Sequence, residues 1–334
     1  MSSPIFDKPI NHISAWTNAG IGGREGLERR IAAGGLEAID ELLARTRSKA
    51  APAITREDFD HPAINPLMAE VRATLLGGLG AVVLSGLDVG RYSLEDLERI
   101  YWGLGTHIGR GAVQSQDGDM IGYVRKAESP TPRGYLTDME LKPHADSHEI
   151  LSLMTVTKAE SGGMSGLVSS LAIHDRILQT RPELLGPLYE GFFYGSHETR
   201  PMDEPLSPTK VPVYCNVDGV VSCMVNPFFM FMAARRLGTE IPAELKAALA
   251  CFYEAAEAPD LIARFMLEPG QMMFWSNYTN LHARSAFVDS PGNTRLLLRL
   301  WLDPDGGRPV VPAFLTPINN RYDTEVRARA RLQN

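Results

Sequence analysis

The chain has 334 residues, with 33 lysines and arginines against 40 aspartates and glutamates, so its formal net charge is −7. An acidic chain with no basic cluster argues against nucleic acid or an anionic membrane surface as the main partner. The composition, 44% hydrophobic and 22% charged, is that of a globular protein. No apolar stretch approaches the roughly 20 residues of a membrane span.

The start of the chain, MSSPIFDKPINHIS, lacks the charged and apolar regions of a secretory signal peptide. The cysteines, Cys215, Cys223 and Cys251, are odd in number and form no CxxC pair. Neither a disulfide framework nor a zinc knuckle is therefore expected. We expect a cytoplasmic protein with reduced thiols.

Helical patterns dominate the first hundred residues. Residues 24–47 predict two short helices separated by a pair of glycines. The segment 65–78 starts with Asn-Pro and ends with Gly-Gly, which predicts a further helix. The apolar run 80–85 predicts a strand, and Ser93 with Asp96 resembles a capping box that opens another helix.

Strand patterns dominate the rest. The predicted elements are strands at 150–157, 271–275 and 295–303, a hairpin around Asp218-Gly219, and helices at 243–256 and 259–267. These strands are not spaced as βαβ units. The pattern therefore predicts one mainly β domain, a sandwich or barrel with flanking helices.

His144 and Asp146 form an HxD pair just before the strand 150–157. In extended chain, residues i and i+2 project to the same face, so both can bind one metal ion. His282, just after the strand 271–275, can supply a third ligand. Two histidines and one carboxylate are typical of non-haem Fe(II) oxygenases. The alternative is a surface or capping histidine beside an aspartate.

His148 has the helical spacing of a metal pair with His144, but the local pattern is not helical.

The strand 295–303 (RLLLRLWLD) alternates with period two. Four leucines lie on one face and must pack against other elements, whereas Arg295 and Arg299 share the opposite face. Buried arginines without a counter-charge are costly, so an anionic ligand is expected between the sheets. The alternative is an exposed sheet face with solvated arginines.

Over roughly residues 55–305 the sequence resembles the taurine/2-oxoglutarate dioxygenase (TauD/TfdA) family of Fe(II)-dependent oxygenases. The resemblance depends on the order and spacing of several short motifs. They are GAVVLSGL at 80–87, LGTHIG at 104–109, His144-x-Asp146, GGxS at 162–165, the run 270–275 with Asn277, LHxR at 281–284, and Arg295-x-x-x-Arg299.

The resemblance implies a double-stranded β-helix (jelly roll) of the clavaminate synthase-like type. It implies that His144, Asp146 and His282 are the iron ligands. Arg295 matches the arginine that holds the distal carboxylate of 2-oxoglutarate, and Ser165 stands where the family usually has an assisting threonine. We expect residues 1–54 to form a helical extension and residues 55–334 one jelly-roll domain with helical insertions.

The family chemistry consumes O₂ and 2-oxoglutarate, releases succinate and CO₂, and oxidises an unactivated C–H bond. Halogenating relatives replace the carboxylate ligand with a small residue, so the presence of Asp146 favours hydroxylation. Arg299 matches a substrate-binding position in some members, which predicts a small anionic substrate such as a carboxylate or amino acid. A homo-oligomer is possible. Two alternatives remain at this point: a metal-dependent hydrolase on the same triad, and a non-catalytic ligand-binding barrel.

Overall fold

The computed structural model describes residues 3–115, 118–129, 134–195 and 207–315. These ranges contain seven α-helices: α1 (Ala33–Thr46), α2 (Asn65–Gly77), α3 (Leu94–Thr106), α4 (Ser170–Thr180), α5 (Leu185–Glu190), α6 (Pro227–Leu237) and α7 (Ala243–Ala256). None of the helices within them has the length and apolar character needed to cross a bilayer.

The described ranges also contain fifteen strands. In chain order they are β1 (Glu28–Arg30), β2 (Ala81–Ser85), β3 (Arg110–Gly111), β4 (Gly122–Val124), β5 (Leu141–His144), β6 (Ile150–Thr157), β7 (Ser161–Gly162), β8 (Ser165–Ser169), β9 (Tyr214–Val217), β10 (Val220–Cys223), β11 (Ala263–Phe265), β12 (Met272–Ser276), β13 (Asn280–Arg284), β14 (Phe287–Val288) and β15 (Leu296–Asp303).

Two sheets face each other across a buried interior. The major sheet has the order β1-β2-β12-β6-β15-β3, with β4 also paired to β15, and the minor sheet has the order β11-β8-β13-β5. Trp275 and Trp301 from the major sheet and Leu167 from the minor sheet belong to one buried cluster. This arrangement is the jelly roll that the sequence predicts.

The helices cover the outer faces of both sheets. Leu298, Leu300 and Leu302 of β15 are buried in one cluster with residues of α1, α2 and α3. Arg299 and Trp301 therefore lie on the opposite, interior face, as the period-two pattern predicts. A register slip of one residue would exchange the two faces, and burying each leucine contributes about 1.5–3 kcal/mol, so the register is strongly fixed. Helices α4, α5 and α7 and the β9–β10 hairpin cover the minor sheet.

Several predicted elements are confirmed by the structure. The helix α2 and the strands β6 and β15 lie where the patterns place them. The Ser93 hydroxyl accepts a hydrogen bond from the backbone N–H of Asp96 at the start of α3. The hairpin turns at Asp218 and Gly219, which both have positive φ.

Two predicted helices are wrong. Within 24–47, residues 28–30 form β1, which pairs in parallel with β2, and one helix begins at Ala33 with the two glycines in its first turn. Within 259–267, residues 263–265 form β11, where buried and exposed residues alternate. Such short apolar runs fit helix and strand periods equally well, and pairing with a neighbouring strand decides between them. The domain boundary at residue 54 stays a prediction, although β1 adds an edge strand to the major sheet.

Glu149 is a buried carboxyl group just ahead of β6, and its side chain is 8% exposed. Its Oε1 accepts a hydrogen bond of 2.8 Å from the backbone N–H of Arg308. Burial raises the pKa of Glu149 to about 7, and the negative charge of Asp303 adds to this, while Arg308 opposes it. Glu149 therefore titrates near neutral pH in the folded protein.

We expect Glu149→Gln to stabilise the protein more at pH 8 than at pH 5. Between pH about 4.5 and 7 the folded protein keeps a proton that the unfolded chain has lost, so the free energy of unfolding falls as pH rises through this window. The expected gain at pH 8 is about 1–3 kcal/mol. Urea unfolding at both pH values measures it, with the exposed Glu37→Gln as the control. Equal shifts at the two pH values would contradict the assignment.

Candidate active site

Three candidate metal ligands meet where β5 and β13 pair. His144 is the last residue of β5 and lies directly opposite His282 in the antiparallel register with β13. Asp146 follows two residues after His144. Ligand atoms of the three side chains all lie within 4.8 Å of one another. The His144 Nε2 atom is 3.7 Å from the Asp146 Oδ1 atom, and the two imidazole centroids are 4.1 Å apart. The strand register thus brings together residues that are remote in sequence.

Hydrogen bonds leave one ligand atom free on each of two of these side chains. The His144 Nδ1–H donates to the backbone carbonyl of Lys142 at 2.8 Å, so the other ring nitrogen, Nε2, faces Asp146. The Asp146 Oδ2 accepts from the Trp301 indole N–H at 3.2 Å and from Arg299 Nη1 at 3.4 Å, whereas Oδ1 has no hydrogen bond with the described residues. Such surrounding hydrogen bonds orient metal ligands and set their tautomers.

The third ligand is held by packing. The His282 ring lies 4.7 Å from the indole of Trp275, centroid to centroid. Its Nδ1 is buried and has no hydrogen-bond partner among the described residues. Burial lowers the pKa of His282 to about 3, and the charge of His144 lowers it further, against the opposing effect of Asp146. His282 is therefore neutral at pH 7, the form in which imidazole binds a metal.

The carboxylate of Asp146 stays ionised although it is buried. Burial alone would raise the pKa of Asp146, but its electrostatic interactions with His282, Arg299 and His144 outweigh burial, and the pKa lies below its ordinary value. Because burial keeps His282 neutral at pH 7, we attribute the lowered pKa of Asp146 mainly to Arg299. Two imidazoles and one carboxylate, with ligand atoms within 4.8 Å of one another, fit Fe(II). Three protein ligands leave the other coordination positions of the metal for other ligands.

Arg295 lines a small cavity. Its side chain is 4% exposed, and its Nη1 is buried without a hydrogen-bond partner among the described residues. Ser165, Gly163 and Leu297 line the same cavity. Gly163 has φ +74°, and a Cβ there would lie 3.3 Å from Arg295 Nε, so a side chain would crowd the guanidinium. Burial lowers the pKa of Arg295, and the charge of Arg284 adds to this.

Arg299 also points into the interior, but it contacts a metal-ligand candidate. Its Nε donates to Gln114 Oε1 at 2.8 Å, and its Nη1 donates to Asp146. Its guanidinium carbon lies over two aromatic rings, 4.5 Å from the centroid of Tyr135 and 4.6 Å from that of Trp301. The acid that Arg299 contacts within the protein is thus Asp146.

The structure also shows the contacts of two residues that the sequence analysis named and of two that it did not. His148 is not in the metal cluster: its Nδ1 contacts Asp303 at 3.0 Å and its ring stacks on Trp301. Gln114 and Tyr135 were missed, because Gln114 reaches Arg299 from a loop and Tyr135 from a single turn of 3-10 helix, and no sequence motif marks either residue. Asn277, which the motif pattern includes, donates to the His148 carbonyl at 2.6 Å and accepts from the Trp275 indole at 3.0 Å.

Comparison with known proteins identifies the family. Residues 46–301 match the family described as taurine catabolism dioxygenase TauD, TfdA family. The chain belongs to the TauD/TfdA family. Relatives of this TauD/TfdA protein include FR-33289 synthase of Streptomyces rubellomurinus, 29% identical over 326 aligned residues that cover 91% of this chain and 93% of that protein. The taurine hydroxylase-like protein SAT17 of Stachybotrys chartarum is 29% identical over 266 residues, covering 74% and 67%.

Solved structures share the TauD/TfdA fold at low sequence identity. Asparagine oxygenase, crystallised with Fe(II), 2S,3S-3-hydroxyasparagine and succinate, has a TM-score of 0.66 and 15% identity over 83% of this chain and 93% of that one. The non-heme iron oxygenase OrfP, crystallised with Fe and alpha-ketoglutaric acid, has a TM-score of 0.63 and 14% identity over 83% and 94%. Family membership makes this chain a non-haem Fe(II)- and 2-oxoglutarate-dependent dioxygenase that uses O₂, as the sequence predicts.

Proposed function

We propose that His144, Asp146 and His282 hold the iron of this dioxygenase. The supporting observation is that the atoms left free by hydrogen bonding, His144 Nε2 and Asp146 Oδ1, lie 3.7 Å apart, with His282 opposite His144 in the register. Trp301 and Arg299 hold the second carboxylate oxygen, so Asp146 presents one oxygen to the metal. Losing such an orienting contact typically costs about 10- to 100-fold in metal affinity.

We further propose that Arg295 binds the distal carboxylate of 2-oxoglutarate and that Ser165 assists. A guanidinium can bind a carboxylate through two parallel hydrogen bonds, and Arg295 forms no ion pair among the described residues. Iron and 2-oxoglutarate, when bound, supply the oxidising chemistry, in which O₂ is consumed, succinate and CO₂ leave and a substrate C–H bond is oxidised. Leu151 and Trp275 belong to the buried apolar cluster between the two sheets.

The proposed substrate is a small anion, a carboxylate or amino acid, that contacts Arg299. Two aromatic rings lie within 4.6 Å of this guanidinium, and Nε and Nη1 already donate. Nη2 forms no hydrogen bond with the described residues and is the group we assign to the substrate anion. The names of the fold relatives support an amino-acid-like ligand, since their complexes include 3-hydroxyasparagine and (3S)-hydroxy-L-Arg.

The deciding experiment measures succinate in air with purified protein, Fe(II) and 2-oxoglutarate, across a panel of small acids. Substrate-dependent succinate and a hydroxylated product are expected, with no chlorinated product in chloride buffer. Hydrolysis of a panel compound with Zn²⁺ and no succinate would instead indicate a metal-dependent hydrolase. Binding of the acids without turnover would indicate a non-catalytic barrel.

We expect Arg299→Gln to raise the substrate KM by about 10- to 100-fold, the usual cost of losing a hydrogen bond between charged groups. The wild type should prefer free acids to their neutral amides, and the variant should lose this preference. Arg264→Gln, on an exposed side chain of β11, is the matched control. Iron content is measured in parallel, because Asp146 also loses a donor. An unchanged KM in an iron-loaded variant would refute the substrate assignment.

A further inference from the structure

Thr155 carries a buried hydroxyl group that no described residue satisfies. Its side chain is 1% exposed, and its Oγ1 has no hydrogen-bond partner among the described residues. A buried polar group without a partner destabilises the folded state, because it has lost its hydrogen bonds to water. Valine has the same shape and would avoid this cost. A bound ligand that accepts a hydrogen bond from this buried hydroxyl would remove the cost.

The strand register directs this hydroxyl into the interior. Thr155 lies opposite Leu297 in the antiparallel pairing of β6 with β15, and Leu153 lies opposite Arg299. Partners in register project to the same face, so Thr155 shares the interior face with Arg299. Its backbone is fixed as well: its N–H donates to the Gln271 carbonyl at 3.0 Å, and its carbonyl accepts from Gly270 at 2.9 Å.

Thr155 lines the same cavity as Arg295 and Ser165. Lys158 also lines this cavity, but its ammonium group is paired with Glu268 at 2.8 Å. Arg295 Nη1 and Thr155 Oγ1 are both buried donors without a partner among the described residues. Their convergence on one cavity indicates an anion with several acceptor positions.

We propose that Thr155 is a third cosubstrate-binding residue, whose hydroxyl donates a hydrogen bond to the distal carboxylate of 2-oxoglutarate. The inference rests on the proposed role of Arg295. A carboxylate has about four acceptor positions, of which a guanidinium fills two, so two hydroxyl donors can fill the others. Ser165 is one of these donors and Thr155 is the second. The carboxylate would then satisfy the Thr155 hydroxyl, which has no partner among the described residues.

Two opposite effects of Thr155→Val follow. The variant should weaken 2-oxoglutarate binding about tenfold, the lower end for a hydrogen bond to a charged group. At the same time, its apo form should unfold at the same temperature as the wild type or higher, because an unsatisfied hydroxyl is removed. A merely structural threonine would not give this combination.

The test is anaerobic calorimetric titration of the Fe(II)-loaded protein with 2-oxoglutarate and with 2-oxopentanoate. The second ligand has the same chain length but no distal carboxylate. Thr155→Val should weaken only the binding of 2-oxoglutarate. Ser152→Ala is the matched control, since Ser152 is a buried serine on β6 that lies opposite Leu300 and faces the helices; it should leave both affinities unchanged.

The variant Arg295→Gln distinguishes a failure of the Thr155 role from a failure of the proposed 2-oxoglutarate site. If Arg295→Gln weakens 2-oxoglutarate binding but Thr155→Val does not, the role of Thr155 is refuted and that of Arg295 stands. If neither variant weakens 2-oxoglutarate binding, both the role of Thr155 and the proposed role of Arg295 are refuted. If Thr155→Val weakens both ligands equally, the hydroxyl does not act on the distal carboxylate and the inference is overturned.

Discussion

Changing both His144 and Asp146 to alanine is expected to abolish stoichiometric Fe(II) binding. The wild type should bind one Fe(II) per chain. The double variant retains only His282, and we expect its affinity to fall by far more than the roughly 100-fold lost when only a supporting contact is removed. Anaerobic equilibrium dialysis followed by metal analysis measures the stoichiometry.

Thermal unfolding provides a second measurement of the loss of Fe(II) binding in the double variant. Ligand binding stabilises the folded state by about 2.7 kcal/mol at a free concentration 100 times the Kd. Added Fe(II) should therefore raise the Tm of the wild type and not that of the double variant. His148→Gln is the control, because His148 is a buried histidine near the site that contacts Asp303 instead of the metal cluster. Near-stoichiometric iron in the folded double variant would refute the ligand assignment.

The parts of the site that the sequence predicts are those that depend on strand periodicity. The alternation of leucine with arginine and tryptophan in β15 is long enough to fix both faces, and the structure confirms it. The HxD spacing needs only locally extended chain to place both side chains on one side. His282 follows the strand β12, as predicted, but it lies in the middle of β13, a strand that the sequence did not predict.

The contacts that the sequence does not predict depend on register between distant strands or on loops. Arg299 was expected to need an external anion, yet Asp146 already contacts it. Gln114 joins the same network through the loop after β3, and no pattern marks it. Thr155 is one of many threonines in the sequence, and only its pairing opposite Leu297 places its hydroxyl in the cavity.

Arg295→Gln is expected to weaken 2-oxoglutarate binding by roughly 30- to several-thousand-fold. This range corresponds to about 2–5 kcal/mol for losing a charge-assisted bidentate pair in a desolvated site. Ser165→Ala should have a much smaller effect, since a hydroxyl contributes one hydrogen bond and no charge. Calorimetric titration of the iron-loaded variants measures both, and equal, small effects would contradict the assignment.

Arg295→Lys separates charge from geometry at the same position. Lysine keeps the positive charge but lacks the planar pair of donors that matches a carboxylate, so its affinity should fall between those of the wild type and Arg295→Gln. Arg295→Gln should also leave the apo protein as stable as the wild type or more stable, because a buried cation without an ion pair among the described residues is removed. A variant that loses both stability and affinity would indicate that Arg295 supports the fold. Loss of affinity alone is the signature of an arginine kept charged in the interior for its ligand.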